Sequence, residues 1–174
     1  DWLLTHKLLE DENVKVKYEQ VIQKFNEFYF GKNFDGLISN EEWLISKEEL
    51  EKLAEKYDLA IFTGREQPEA RHALRLQNVE DLFEYIMTSD KLKENEQKPS
   101  PKGLEIIKEI INPKKCYYLG DTRDDMQAGA GANVKTIGVL PPQDKSEELK
   151  NILLSDKAIT VLSSVKDLLK FLEK

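Results

Sequence analysis

The stretch Tyr117-Tyr118-Leu119-Gly120-Asp121-Thr122-Arg123-Asp124-Asp125 decides how this chain is read. An apolar, strand-like run ends in a glycine and then presents three carboxylates within five residues. The C-terminal ends of strands in parallel sheets are where ligands bind. Carboxylates this close repel one another unless a cation sits between them, and an all-oxygen donor set suits Mg²⁺ rather than zinc. Asp121 is the first-choice ligand, with Asp125 beside it as a metal ligand or as an outer partner. The same residues also fit a purely structural role, in which Asp121 caps the next helix and Asp124 and Asp125 favour its positive end.

Two other stretches share this design. Leu59-Ala60-Ile61-Phe62-Thr63-Gly64-Arg65 is again a buried strand that ends in a small hydroxyl residue and a glycine. A threonine hydroxyl and the amides of a tight turn hold a phosphate oxygen well, and glycine lets the backbone approach closely. Arg65 can clamp an anion, although an ordinary strand-to-helix turn with a solvated arginine fits the segment equally. In Lys98-Pro99-Ser100-Pro101 the two prolines stiffen the approach to a helix and fix where Lys98 points.

From about residue 48 onward, strand-like runs alternate with amphipathic helical segments, the pattern of a parallel sheet covered by helices. The expected strands are Leu59–Phe62, Tyr85–Met87, Cys116–Leu119, Val134–Val139 and Ile159–Leu162. Ser46 and Glu49 form a capping box for a helix through Lys56; Pro68 opens one through Leu76, and Pro101 one through Ile111 that stops at Asn112-Pro113. A last helix is expected from about Ser164, with Val165, Leu168, Leu169 and Leu172 on one stripe. The fold class is α/β, a three-layer Rossmann-like parallel sheet. Residues 1–45 differ, with Tyr18, Phe25, Phe28, Tyr29 and Phe30 at helical spacings, and read as a small helical unit ahead of a core over 46–174.

Composition bounds the function. A net charge of −7 and a pI near 5.1 provide no basic stripe for nucleic acid. The longest apolar runs fall far short of the roughly 20 residues of a membrane span, and no secretory signal pattern opens the chain, so a cytoplasmic location is expected. Cys116 is the only cysteine, which excludes disulfides and thiolate clusters and suggests a structural thiol. His6 and His72 have no partner at metal spacing. Gly129 and Gly131 lack the third glycine and the preceding strand of a dinucleotide fingerprint.

Thr63, then Lys98, then Asp121 and Asp125, each on the right kind of element and in this order, resemble the second, third and fourth motifs of the haloacid dehalogenase superfamily. The similarity runs from about Leu59 to Val139, and the residues before Ser46 resemble the tail of the helical cap in its phosphoglycolate-phosphatase-like branch. The resemblance implies a Mg²⁺-dependent phosphatase acting on a small phosphorylated metabolite through an aspartyl-phosphate. Asp121 and Asp125 would hold the metal, Thr63, Gly64 and Arg65 would bind substrate, and Lys98 would both bind phosphate and keep the nucleophile ionised. The family's first motif, Asp-x-Asp-Gly at the end of a buried central strand, has no match here. Asn33-Phe34-Asp35-Gly36 places asparagine at the nucleophile position with no strand before it, and reads as a cap turn. Because the chain opens at Asp1 without a methionine, the first strand and the start of the cap are expected upstream, and these 174 residues alone are expected to be inactive. A non-catalytic relative that only binds a ligand or partner is the alternative, with a phosphomutase or dehalogenase as the variants within the enzymes. A core without its central strand exposes two apolar strand edges and has routes to homodimerise, swap elements or misfold.

Overall fold

A computed structural model describes residues 2–173. The chain divides between Trp43 and Leu44 into two compact units.

In the first unit α1 (Trp2–Asp11) and α2 (Tyr18–Tyr29) pack on one another through aromatic side chains. Trp2 meets Phe25 edge-on at 5.8 Å between ring centroids, and Phe25 stacks on Tyr29 at 5.0 Å. His6 bonds the Val16 carbonyl through Nε2 at 2.9 Å, a structural role for that histidine. Among the described residues of this unit, Val21 and Ile38 are the buried apolar side chains, while Leu3, Leu4, Leu8, Phe28 and Leu37 are exposed. The Asn33–Gly36 segment is a turn: Asp35 Oδ1 accepts from the Lys32 and Asn33 amides, and Gly31 and Phe34 have positive φ. No strand leads into it.

The second unit is α/β. Its elements are α3 (Lys47–Ala54), β1 (Leu59–Phe62), α4 (Gln67–Leu76), β2 (Phe83–Met87), α5 (Lys102–Ile111), β3 (Tyr117–Gly120), α6 (Arg123–Gly131), β4 (Lys135–Val139), α7 (Glu147–Ser155), β5 (Thr160–Leu162) and α8 (Leu168–Leu172). The capping box at Ser46 forms in both directions, with the Glu49 amide donating to Ser46 Oγ at 3.2 Å and the Ser46 amide to Glu49 Oε2 at 3.0 Å. Helices α4 and α6 end in the same way. The Asn78 and Asn133 backbones turn left-handed, and the next residue, Val79 or Val134, donates back across five residues to Leu74 or Gly129. This is the Schellman closure, in which asparagine tolerates the positive φ and a buried valine follows it. Asn112 ends α5 with the same left-handed φ.

All strand pairs are parallel. β1 pairs with β2, and β3, β4 and β5 form a second ladder in that order. Among the described residues β1 and β3 therefore each keep one unpaired edge. A cavity of about 720 Å³ lies between those edges, lined by Leu59–Phe62 and Tyr117–Leu119 and closed by Leu53, Leu104, Ile107 and Leu168 from the flanking helices. The larger core cluster, with Phe62, Met87, Leu104, Ile107, Tyr118, Ala128 and Val134, joins β1 and β3 through their side chains; Met126, Leu140, Leu153 and Ala158 form a second. Two details depart from the sequence reading. The last helix begins as a 3₁₀ turn, Val165–Asp167, before α8, and α7 is a helix that reading did not name. No helix among the described residues is long and apolar enough to cross a membrane.

Candidate active site

Asp125 is the centre of the site. It is 5 % exposed, on the first turn of α6, and all of its oxygen positions are engaged. Oδ1 accepts from Lys98 Nζ at 2.6 Å and from the Tyr118 hydroxyl at 2.7 Å; Oδ2 accepts from the Thr122 amide at 3.2 Å and the Thr122 hydroxyl at 2.6 Å. The Asp125 amide donates in return to Thr122 Oγ1 at 3.2 Å, completing a capping box that starts α6. Burial pushes the Asp125 carboxyl pKa upward, but the Lys98 charge, then hydrogen bonds from Lys98, Thr122 and Tyr118, outweigh it and hold the group below its ordinary value.

Gly120 makes room for this carboxylate. A Cβ at position 120 would lie 2.2 Å from Asp125 Cβ and 2.4 Å from its Cγ, so no side chain fits between β3 and the start of α6. The helix cap is Thr122, which corrects the reading in which Asp121 caps α6. Asp124 is exposed, and among the described residues no three His, Cys, Asp or Glu side chains gather as a metal cluster. The three carboxylates quoted from the sequence thus separate: Asp125 is committed inward, Asp124 is outward, and Asp121 is exposed just after the end of β3.

Asp121 keeps an exposed surface, yet its carboxyl pKa is raised, first by loss of solvent and next by the negative charge of Asp125; Lys98 acts in the opposite sense. A divalent cation beside Asp121 would offset both effects. The oxygen-only donor chemistry, with a repulsion that Lys98 offsets only in part, is compatible with Mg²⁺; Asp121 rather than Asp125 would face it, since the latter's lone pairs already serve Lys98, Tyr118 and Thr122.

Thr63 follows β1 directly and continues its pairing, its amide donating to Met87 O at 3.0 Å. Its hydroxyl oxygen accepts from the Arg65 amide at 3.1 Å, which leaves the hydroxyl proton to be donated to an anion. Nothing lies within 4 Å of the place a Gly64 Cβ would occupy, so the turn is open on that side. Arg65 Nη1 is 2.9 Å from Glu69 Oε1, and its carbonyl accepts from the Ser89 amide at 3.0 Å; it braces the turn through these contacts. Lys98 Nζ lies 4.9 Å from the Phe62 ring centroid, so the structure brings Lys98 and Asp125 into direct contact, with Asp121 close enough to feel both charges, while Thr63 directly follows Phe62 in the chain. Sequence reasoning missed Tyr118, Phe62 and Thr122. For Thr122 the signal was present as Thr-x-x-Asp, a capping-box spacing.

Parallel strands alternating with helices, with Thr63 and Asp121 just after the ends of β1 and β3 and Lys98 in the loop before α5, make this a Rossmann-like α/β fold. The sequence profile of the haloacid dehalogenase-like hydrolase family matches residues 4–139, and the chain belongs to that family. A phosphoglycolate phosphatase of Haemophilus influenzae is 29% identical over 142 residues, 80% of this chain and 60% of its own length. An imidazoleglycerol-phosphate dehydratase of Phytophthora nicotianae is 30% identical over 158 residues, 86% of this chain and 34% of that protein. The chain thus spans about a third to three fifths of these curated relatives. Among solved structures, YfnB of Bacillus subtilis bound to magnesium has the same fold, with a TM-score of 0.70 and 17% identity over 97% of this chain and 68% of that one.

Proposed function

We propose that this chain is the greater part of a Mg²⁺-dependent phosphatase that hydrolyses a small-molecule phosphate monoester, its nucleophilic aspartate arriving on a strand from upstream. The observation that carries this reading is the Lys98–Asp125 pair, whose ammonium lies over the rings of Phe62 and Tyr118, two residues that also line the cleft between the unpaired edges of β1 and β3. A strand residue in a packed sheet fills roughly 3.3 × 4.8 × 10 Å, about 160 Å³. The 720 Å³ cavity therefore has room for four or five residues, about the length of β1 and β3. A strand running parallel to both would end beside Thr63, Lys98 and Asp121, where its terminal side chain would meet a bound phosphate.

The residues of this chain then divide the work. The Thr63 hydroxyl and the Gly64 turn bind a phosphoryl oxygen, and Lys98 places a positive charge beside the phosphate and the incoming carboxylate. The upstream carboxylate attacks phosphorus, the alcohol leaves with a proton from an acid on the same strand, and water cleaves the aspartyl-phosphate to release phosphate. Asp121 would hold Mg²⁺, which neutralises phosphoryl oxygens and lets two anions approach. The reading extends to a cytoplasmic enzyme acting on a small phosphorylated metabolite, with the helical first unit as part of a cap domain.

The test is release of phosphate from p-nitrophenyl phosphate by the protein with its upstream segment, with Mg²⁺ or with EDTA. Turnover that needs Mg²⁺ and is lost in Asp121→Ala and Lys98→Ala supports the proposal, as does silence from these 174 residues alone. A folded full protein that releases no phosphate from any small monoester sinks it and leaves a ligand-binding relative.

A further inference from the structure

The Lys98 ammonium is enclosed on three sides. Its Nζ is 4.9 Å from the Phe62 ring centroid, 5.6 Å from that of Tyr118 and 2.6 Å from Asp125 Oδ1. Tyr118 serves twice in this arrangement, because its hydroxyl also donates to Asp125 Oδ1, at 2.7 Å. The only other acceptor shown near that hydroxyl is the Phe62 carbonyl at 3.5 Å, so its one proton goes to the carboxylate. Burial, then the Asp125 charge, raise the Tyr118 pKa, and the phenol keeps its proton at all physiological pH values.

We infer that Tyr118 is a positioning residue of the phosphate site: its hydroxyl fixes Asp125, and its ring, with Phe62, confines the Lys98 ammonium to one location. This rests on the site proposed above. An ammonium on a four-carbon stem has many rotamers, and holding it costs entropy that aromatic walls and a fixed counter-charge offset before substrate arrives. Phe62 is itself held, since Gly103 on α5 leaves no atom where a Cβ would lie 2.4 Å from its ring. The arrangement links β1, β3 and the loop before α5 at one nitrogen.

The test uses Tyr118→Phe in the full protein, which removes the hydroxyl and keeps the ring. Steady-state hydrolysis of p-nitrophenyl phosphate with Mg²⁺ is paired with competitive acylation of lysines by acetic anhydride, read residue by residue by mass spectrometry. The expected result is a kcat about tenfold lower with KM within about twofold, the size of one hydrogen bond to a charged group, and Lys98 acylation several-fold faster relative to exposed Lys47. Phe62→Leu, which spares the Asp125 bonds, should raise Lys98 acylation by a smaller factor, and decides the matter if Tyr118→Phe does not fold. A Tyr118→Phe protein that loses only thermal stability, with Lys98 acylation and kcat unchanged, overturns the inference. If the parent itself hydrolyses nothing, the phosphatase reading fails and the acylation result alone decides the positioning role.

Discussion

Replacing Asp125 with asparagine keeps the shape of the side chain and removes its charge. In the parent, both oxygens face donors only: Lys98 and Tyr118 on one, the Thr122 amide and hydroxyl on the other. Whichever way the new amide turns, its NH₂ group confronts two donors, and the Thr122 backbone N–H cannot rotate away. Breaking a buried ion pair from one side costs about 3–5 kcal/mol. Lys98 is 20% exposed and keeps its contact with two rings, so the lower end, about 3 kcal/mol, applies. At roughly 2–4 °C per kcal/mol for a chain of this size, the melting midpoint should fall by about 6–12 °C. Circular dichroism melts at neutral pH measure it, with Asp124→Asn as the exposed neighbour, expected to move the midpoint by no more than about 2 °C. A midpoint for Asp125→Asn within about 2 °C of the parent would mean that the pair is not formed as described.

Gly120→Ala places a Cβ 2.2 Å from Asp125 Cβ and should cost about as much as Asp125→Asn, while the double variant costs little more than either, a non-additivity that a double-mutant melt series reads directly. Leu153, fully buried in the second core cluster, should lose about 3 kcal/mol on replacement by alanine, seen as a lower urea midpoint with an unchanged slope. Because the Asp125 pKa lies below its unfolded value of about 3.9, its stabilisation is complete above that value and is lost as pH falls through it toward the folded pKa. Parent and Asp125→Asn stabilities should therefore converge below about pH 4 in acid titrations followed by circular dichroism. Asp121 has the opposite sign: its folded pKa is raised, so its ionised form opposes folding at neutral pH. Asp121→Asn should stabilise the metal-free protein by about 0.5 kcal/mol, a small value because the side chain is exposed, and should abolish any thermal shift on adding Mg²⁺.

The strands were legible because each is a short apolar run between turn residues, and Asn112-Pro113 marks the end of α5, whereas the left-handed Asn78 and Asn133 that end α4 and α6 are passed over by the sequence reading. The order Thr63, Lys98, Asp121, Asp125 was legible as well, because each sits at or beside the end of a regular element. What the sequence could not display is commitment between distant residues. Tyr118 and Asp125 are seven residues apart, and Lys98 and Asp125 twenty-seven, and the Thr122-x-x-Asp125 spacing is the local sign that sets the buried carboxylate apart from Asp121 and Asp124. The distinction comes from the capping geometry of Thr122, which turns position 125 toward β3, and from Gly120, which leaves it space. The start of α8 was blurred for a different reason, since the Ser164 side chain accepts from the Lys166 amide and closes a tighter 3₁₀ turn before the α-helix begins.

The cleft between β1 and β3 and the proposed chemistry are one problem seen from two sides. If all of its 720 Å³ counted as a buried void, at about 24 cal/mol per Å³ it would cost roughly 17 kcal/mol, more than the 5–15 kcal/mol by which a typical domain is stable. The figure is an upper bound, because water enters from the open side, but water cannot make contact with Leu53, Leu104, Ile107 and Leu168 as a side chain does. Two parallel edges with unpaired amides and carbonyls add to the cost, since parallel sheets are ordinarily covered on both faces and paired within. A segment that fills the cleft must therefore be apolar along its length to satisfy the flanking helices and extended to satisfy the edges. A segment running parallel to both edges would end on the side of Thr63 and Gly120, where Asp121 and Asp125 outweigh Lys98 in charge, so an acidic residue there calls for a cation beside it. Packing thus asks for a short apolar strand, and a carboxylate at its end would add to the negative charge that a cation beside Asp121 has to offset, which ties the filling of this cleft to the Mg²⁺ of the reaction proposed for it.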